Sequence, residues 1–412
     1  MNKKQKNIKS VIFVSWATLI SWLLSYLYHP VAIRFLSIED FGIFESLLSL
    51  LNIFLVMIIA LGLFYTKEVS KKIDDINYAK SYRTNSLKIA TKLWLWVSVL
   101  LIIWTPIFSY YLNVPFYYFF PLCLTIIFSF YAVTNNAFFQ WLEKFRFIAW
   151  VISTWSVFRL SIWFLLLYTW FGIFWAIWWV IISQILMFYI WNIYLKYFFK
   201  SIEEKEVRQI EIITSFLSKR KQIIQYLFTS IIIALLMNID ILIVKNMFGW
   251  ETAGYYAAVS VVAKFLVFLW LSIETVYYPQ LVKWKTFPTK QILKISMYYI
   301  LMLLGALGFF YIFWEMILRL FKWWLEEYIW VIFPLLIYCG LLWYISIIVK
   351  TLIAFEKYVV NYILSIVVVA IVVCIYAFAT DIYSLAYIFM LWSIVALLST
   401  LTSLLMIKKK SK

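Results

Sequence analysis

Charged residues are scarce in this sequence. They make up 13% of its 412 residues, whereas 66% of the residues are hydrophobic, well above the apolar share of about one half in soluble domains. This composition excludes a soluble protein and predicts one that lies in a bilayer, where uncharged apolar runs of about 20 residues form spans. We predict an all-α integral membrane protein of about twelve spans, with approximate ranges 11–33, 41–65, 89–112, 116–140, 148–170, 171–195, 224–246, 253–281, 293–318, 328–350, 358–380 and 382–406.

Cysteine and histidine are also rare. The three cysteines, Cys123, Cys339 and Cys374, lie inside apolar runs and lack the spacing of a disulfide framework or a metal site. We interpret them as small core residues. We therefore expect neither a metal nor a cofactor.

Acidic residues are outnumbered by basic ones, 19 to 36, which gives a formal charge of +17. Nearly all Lys and Arg residues fall on alternate connections between the spans, and this asymmetry predicts that those connections and both termini are cytoplasmic. Anionic headgroups attract bases in such positions. We therefore expect membrane lipids as partners and no nucleic acid.

Long connections are lacking on the opposite, outer side of the predicted topology. An external domain that could hold a site for glycosyl transfer or hydrolysis has no room there. We therefore expect the protein not to be an enzyme.

Glycine is the residue with the largest deficit. Average usage would give roughly 29 in a chain of this length, but there are 8, beside 23 Trp. Trp concentrates at membrane interfaces, whereas close helix approach within spans favours small residues. Yet many Trp fall inside the predicted spans, among them Trp94, Trp96, Trp155, Trp163, Trp175, Trp178, Trp179 and Trp343. We hypothesise that many of the Trp are UGA codons that the source organism decodes as glycine; the alternative is a Trp-rich protein with aromatic belts.

A degenerate repeat divides the chain in half. The run Arg34 to Asn52 returns as the run Lys245 to Lys264, and Glu39-x-x-Gly42 aligns with Glu251-x-x-Gly254 at a shift of 212 residues (251 minus 39). A repeat of half the chain length indicates a duplicated protein. We predict two six-helix lobes, residues 1–210 and 211–412, related by a pseudo-two-fold axis along the membrane normal.

An ordered set of weak motifs resembles a known family. The motifs are Arg34-Phe-Leu-Ser-Ile-Glu-Asp-Phe-Gly-Ile-Phe, Ala60-Leu-Gly-Leu, Gln140-Trp-Leu-Glu-Lys-Phe-Arg-Phe, Asn238-Ile-Asp-Ile-Leu-Ile-Val and Ala253-Gly-Tyr-Tyr-Ala-Ala. Together they resemble the bacterial polysaccharide-export flippases, the O-antigen type transporters of the multidrug/oligosaccharidyl-lipid/polysaccharide exporter superfamily. The resemblance covers essentially the whole chain.

The resemblance implies a flippase that moves an undecaprenyl-pyrophosphate-linked oligosaccharide from the inner to the outer leaflet of the bacterial inner membrane by alternating access. It also implies a part in lipopolysaccharide or O-antigen export, beside polysaccharide polymerase machinery. Two alternatives stay open: a drug or cation antiporter of the same superfamily, and a membrane-embedded polysaccharide polymerase or ligase.

Ionisable side chains inside spans are the first candidates for a cargo site. Arg159, Lys264 and Asn52 each lie about 11 residues into a span, which at 1.5 Å per residue places them at the midplane, where such transporters bind cargo. A pyrophosphate group needs cations in a low dielectric, so we predict that Arg159 and Lys264 face one cavity. Asp240 and Glu274 are candidate charge partners or coupling-ion sites. The alternative is that these charges only pair to hold helices together.

Other polar residues extend this candidate site. Asn136 and Gln140 lie on a polar stripe of the fourth span and suit sugar hydroxyls, although such amides also join helices by hydrogen bonds. Arg34 and Glu45 lie near the predicted outer mouth and are candidates for an outer gate pair. His29, which precedes Pro30, is a further gate candidate or a residue associated with a helix kink.

The codon hypothesis has a direct test in the nucleotide sequence. We expect UGA at the Trp positions inside the spans, because a glycine there would permit the close packing that an indole prevents. UGG at these positions would contradict the hypothesis.

Overall fold

A computed structural model describes residues 20–21, 24–70, 76–141, 145–168, 172–200, 220–282, 289–321 and 327–410. This part of the chain is helical with short connections. The α-helices are α1 (Tyr28–Phe35), α2 (Ile38–Ser70), α3 (Ile76–Leu112), α4 (Phe119–Trp141), α5 (Phe145–Tyr168), α6 (Gly172–Phe199), α7 (Arg220–Val282), α8 (Thr289–Phe321), α9 (Ile329–Ala354), α10 (Val359–Phe378) and α11 (Ile382–Lys410). The short 3-10 turn Phe116–Tyr118 precedes α4.

The helices follow the apolar runs of the sequence, so the all-α prediction is confirmed. Two predicted spans, 224–246 and 253–281, fall within α7, whose backbone leaves the helical region at Gly249 with φ of 85°. Side chains strongly disfavour this left-handed conformation, and glycine adopts it without cost. Gly249 is therefore the turn between the two arms of α7, which we call α7a (residues 220–248) and α7b (residues 250–282).

Two helices of the first half are longer than their predicted spans. Helix α2 has 33 residues and α3 has 37, so most of the polar connection that the sequence placed between them is helical. Among the described residues, six helical stretches are long and apolar enough to cross a membrane: Gly172–Leu195, Ile223–Lys264, Ser296–Arg319, Ile329–Ile353, Val359–Phe378 and Ile382–Leu404.

The chain forms two compact units. The first comprises Met1–Ser25 and Leu47–Ile231, and the second comprises Tyr26–Ser46 and Ile232–Lys412. In the first unit α4 packs against α3 and α6, and α5 packs against α6. In the second unit α9 and α10 pack against α11, and α8 contacts α1 and α9. The lobe boundary predicted near residue 210 lies in 201–219, outside the described residues.

The two copies of the repeat meet inside the second unit at their glycines. A Cβ atom on Gly42 would lie 2.8 Å from the Gly254 nitrogen and 2.9 Å from the Trp250 carbonyl oxygen. A Cβ atom on Gly254 would overlap the carbonyl oxygen of Ile38. Helices α2 and α7b thus touch backbone to backbone, an approach that in membranes depends on small residues.

Several tryptophans are deeply buried. Trp163, Trp179 and Trp191 are among the largest fully buried side chains. The indole N–H groups of Trp155 and Trp179 donate to the carbonyl oxygens of Ser183 and Arg159, at 3.0 and 2.9 Å. The buried indole nitrogens of Trp178 and Trp343, in contrast, have no acceptor among the described residues. An unsatisfied buried N–H is unfavourable, and glycine would remove it, so these two positions are compatible with the codon hypothesis but do not test it.

The glycine contact predicts an asymmetric effect of adding one methyl group. We expect Gly254→Ala to lower the stability of the protein by about 1–3 kcal/mol, because the added carbon must displace backbone of α2. Gly305→Ala is the matched control, since a Cβ atom there meets nothing within 4 Å and alanine favours helix by up to about 1 kcal/mol. Thermal unfolding of the detergent-solubilised variants measures both, and equal melting temperatures would contradict the close contact.

Asp381 caps the start of α11. Its Oδ1 accepts a hydrogen bond of 2.7 Å from the Ser384 backbone N–H, and the backbone N–H groups of Thr380 and Asp381 donate to Ser384 Oγ at 3.1 Å. These hydrogen bonds, first that of the Ser384 backbone, hold the pKa of the exposed Asp381 carboxyl below its usual value. A depressed folded-state pKa means that the stabilisation is present above the ordinary Asp pKa of about 3.9 and is lost as the pH falls through the folded value.

We expect Asp381→Ala to lower stability at neutral pH by about 1 kcal/mol, the usual contribution of an N-terminal cap. The difference from wild type should shrink as the pH falls below about 4. Unfolding curves at pH 7 and pH 3 compare the two proteins. A difference that is independent of pH would show that the carboxylate charge does not contribute.

Candidate substrate site

A buried carboxylate and a lysine face each other across the two arms of α7. Lys264 Nζ on α7b lies 3.0 Å from Asp240 Oδ1 on α7a. The Asp240 side chain is 1% exposed and the Lys264 side chain 16%. The Gly249 turn brings these residues together although they are 24 positions apart.

The environment of Asp240 follows from helical spacing. Tyr256, Ser260 and Lys264 recur every four residues on α7b and so lie on one face of that arm. Ser260 Oγ donates to Asp240 Oδ2 at 2.7 Å, and Tyr256 OH donates to the same oxygen at 3.4 Å. Burying a charge pair is costly unless further hydrogen bonds satisfy its atoms, and the two hydroxyls do so for the carboxylate.

Two further tyrosine hydroxyls fix the arms of α7. Tyr26 OH donates to the Val261 carbonyl oxygen at 2.6 Å, and Tyr338 OH donates to the Leu236 carbonyl oxygen. Both tyrosines are almost completely buried. The hydroxyls therefore hold the backbone beside Ser260 and the backbone one turn before Asp240, which orients the ion pair. Sequence reasoning missed these tyrosines, since an aromatic residue in an apolar run gives no sign of its partner.

The candidate gate residues are also in the second unit, in a different pairing from the one expected. The His29 ring Nδ1 lies 2.5 Å from Glu45 Oε1, and both residues are buried. Arg34 is exposed, and its guanidinium donates to the carbonyl oxygens of Arg319 and Phe321 at 3.3 and 3.4 Å. Glu45 thus pairs with His29 rather than with Arg34. His29 lies at the start of α1, and its ring faces α2, which carries Glu45.

The remaining candidate residues lie in the first unit, or their side chains are outside the part of the chain that the structure describes. Arg159 on α5 is half-buried, with its guanidinium carbon 5.1 Å from the centroid of the Trp155 ring. Asn52 on α2 is exposed. That Arg159 and Lys264 share a cavity stays a prediction. The side chains of Asn136, Gln140 and Glu274 lie outside the described part of the chain.

A buried contact beside Asn136 was missed by the sequence analysis. Arg83 Nε and one terminal nitrogen donate to Asn135 Oδ1 at 2.9 and 2.7 Å. Arg83 on α3 therefore contacts α4. Separately, the described side chains contain no group of three or more His, Cys, Asp or Glu residues placed to hold a metal ion.

A family profile matches most of the chain. The family is described as "Polysaccharide biosynthesis protein", and the match covers residues 8–285. The chain belongs to this family. No curated protein sequence matches the chain.

Solved transporter structures have the same fold as this polysaccharide biosynthesis protein. A multidrug resistance MATE family transporter of the MOP superfamily, in its outward-facing conformation, superposes with a TM-score of 0.70 at 13% identity over 98% of this chain and 97% of that one. The lipid II flippase MurJ, in an inward closed conformation, gives 0.63 at 14% identity over 95% and 87%. A mutant of the Vibrio cholerae MATE transporter VcmN gives 0.62 at 15% identity over 97% and 96%. These likenesses show the fold alone, and they agree with the all-α membrane architecture that the sequence predicted.

Proposed function

We propose that this protein is a flippase that moves an undecaprenyl-pyrophosphate-linked oligosaccharide from the inner to the outer leaflet of a bacterial inner membrane. The observation that carries the proposal is the Asp240–Lys264 ion pair, buried within a transporter fold of the polysaccharide biosynthesis family. An intramembrane charge pair marks a transport site more often than a structural one. Both termini are cytoplasmic in this proposal, and polymerase machinery receives the product.

The ion pair supplies a mechanism for binding and release. In the empty site Asp240 neutralises Lys264, so the ammonium is not left buried and uncompensated. A pyrophosphate group carries more negative charge than a carboxylate and competes with Asp240 for the ammonium. Asp240 then keeps its hydrogen bonds from Ser260 and Tyr256 while the lysine holds the cargo, and it recaptures Lys264 when the cargo leaves.

The membrane potential provides a driving force for this direction of transport. With the inside negative, moving negative charge outward is favourable by about 2.3 kcal/mol per elementary charge per 100 mV. Lys264 and Arg159 stay with the protein and do not cancel this free energy. Transport by alternating access therefore needs no coupling ion in this proposal.

A second candidate function is an antiporter of the same superfamily. Its support is the buried His29–Glu45 pair, in which a ring nitrogen and a carboxylate share a hydrogen bond. The family match to polysaccharide biosynthesis favours the flippase. Sensitivity of export to an imposed proton gradient, with normal export at an imposed potential alone, would favour the antiporter.

We expect Lys264→Gln to reduce surface polysaccharide at least tenfold, because the cation that binds the pyrophosphate is lost. Arg159→Ala should reduce export as well. The assay is complementation of an export-deficient strain, with the amount of membrane-inserted protein measured in parallel.

The double variant Asp240→Asn with Lys264→Gln separates transport from folding. Removing both charges leaves no unpaired buried ion, so the double variant should be about as stable as wild type. We expect it to insert normally and to export no more than Lys264→Gln alone. Normal export by the double variant would show that the pair only joins the two arms of α7, and the proposed function would lose its site.

A further inference from the structure

Lys245 is a buried cation that the proposed function has not used. Only 3% of its surface is exposed. It lies on α7a, four residues before the Gly249 turn and five residues beyond Asp240. At 1.5 Å per residue it is about 7.5 Å farther along the helix axis than the ion pair, toward the end that the topology predicts to be outer.

The contacts of Lys245 differ from those of Lys264 and Arg34. Lys264 is paired with Asp240, and Arg34 donates to two carbonyl oxygens. The Lys245 ammonium lies 2.9 Å from the centroid of the Trp250 ring, and no carboxylate lies within ion-pair distance of it among the described residues. The nearest acid along α7b, Glu251, is exposed and accepts a hydrogen bond from Tyr255.

A ring face compensates an ammonium only in part. A cation–π contact stabilises a desolvated ammonium, but by less than the free energy that removing an ammonium without an anion from water costs. The Lys245 ammonium would therefore gain more free energy from a bound anion than it gains from the Trp250 ring in the empty protein. Buried ionisable residues in membrane proteins accordingly mark the paths of substrates or ions.

We propose that Lys245 is a second phosphate-binding site, which takes the pyrophosphate group of the cargo after it leaves Lys264 and before release on the outer side. The inference rests on the proposed function and adds a second binding step to it. The ring of Trp250 covers the ammonium in the empty state and yields to the phosphate oxygens. The repeat is consistent with this role, since Lys245 falls one residue from the position of Arg34 in the first copy.

Binding of farnesyl pyrophosphate to the full chain in phosphatidylcholine nanodiscs tests the proposal, with farnesol as the control for the hydrocarbon chain. We expect Lys245→Gln to weaken binding about tenfold, because a charge-assisted hydrogen bond is lost, and Lys245→Arg to retain it. Lys350→Gln is the matched control: Lys350 is a half-buried lysine of the same unit, but it lies at the opposite, predicted cytoplasmic end of its helix. It should bind as wild type does.

A change at Trp250 distinguishes an anion site from a structural cation–π contact. If the ring only holds Lys245 in place, Trp250→Ala should lower stability and leave the affinity for farnesyl pyrophosphate unchanged, which would overturn the proposal. If the ring covers a phosphate site, Trp250→Ala should raise the affinity severalfold, because the ammonium no longer has to leave the ring.

The remaining outcomes separate this inference from the proposed function. Weakened binding in Lys264→Gln with unchanged binding in Lys245→Gln would overturn the second site and leave the flippase proposal intact. Unchanged binding in both variants would overturn both. If adding phosphatidylglycerol to the nanodiscs abolishes the difference between wild type and Lys245→Gln, the site takes the phosphate of bilayer lipid and not that of the cargo.

Discussion

The backbone contact between Gly42 and Gly254 is the constraint on which the second unit depends. The two glycines hold the same position in the two copies of the repeat, and a Cβ atom on either would collide with the other helix. This contact seats the start of α2 on α7b, which explains why Tyr26–Ser46 belongs to the second unit although most of its neighbours in sequence belong to the first. With α2 in place, the Tyr26 hydroxyl reaches Val261, three residues before Lys264.

The buried charges of the second unit are balanced in three ways. Asp240 and Lys264 compensate each other, His29 and Glu45 share a short hydrogen bond, and Lys245 has an aromatic ring. In the first arrangement the two opposite charges offset each other. The third leaves a positive charge that no described carboxylate offsets.

The sequence predicts the helices of this protein well and their side-chain contacts unevenly. Apolar runs must reach across the hydrocarbon, so their length and position define α4 to α11 within a few residues, and the glycine at 249 marks the turn within α7. The sequence makes Asp240 a candidate partner of Lys264 because the two are opposite charges in adjacent spans, and the structure brings them together. The expected pairing of Glu45 with Arg34 does not form, because the depth of a residue says nothing of the direction in which its side chain points. Glu45 contacts His29 instead. Neutral donors such as Tyr26 and Tyr338 carry no pattern at all, and their acceptors are backbone atoms that only the packed structure brings within reach.

Helix α2 begins in one unit and ends in the other, since the division falls between Ser46 and Leu47 within a helix that continues to Ser70. The backbone hydrogen bonds of α2 therefore continue across this division, and no loop separates the two units at this crossing.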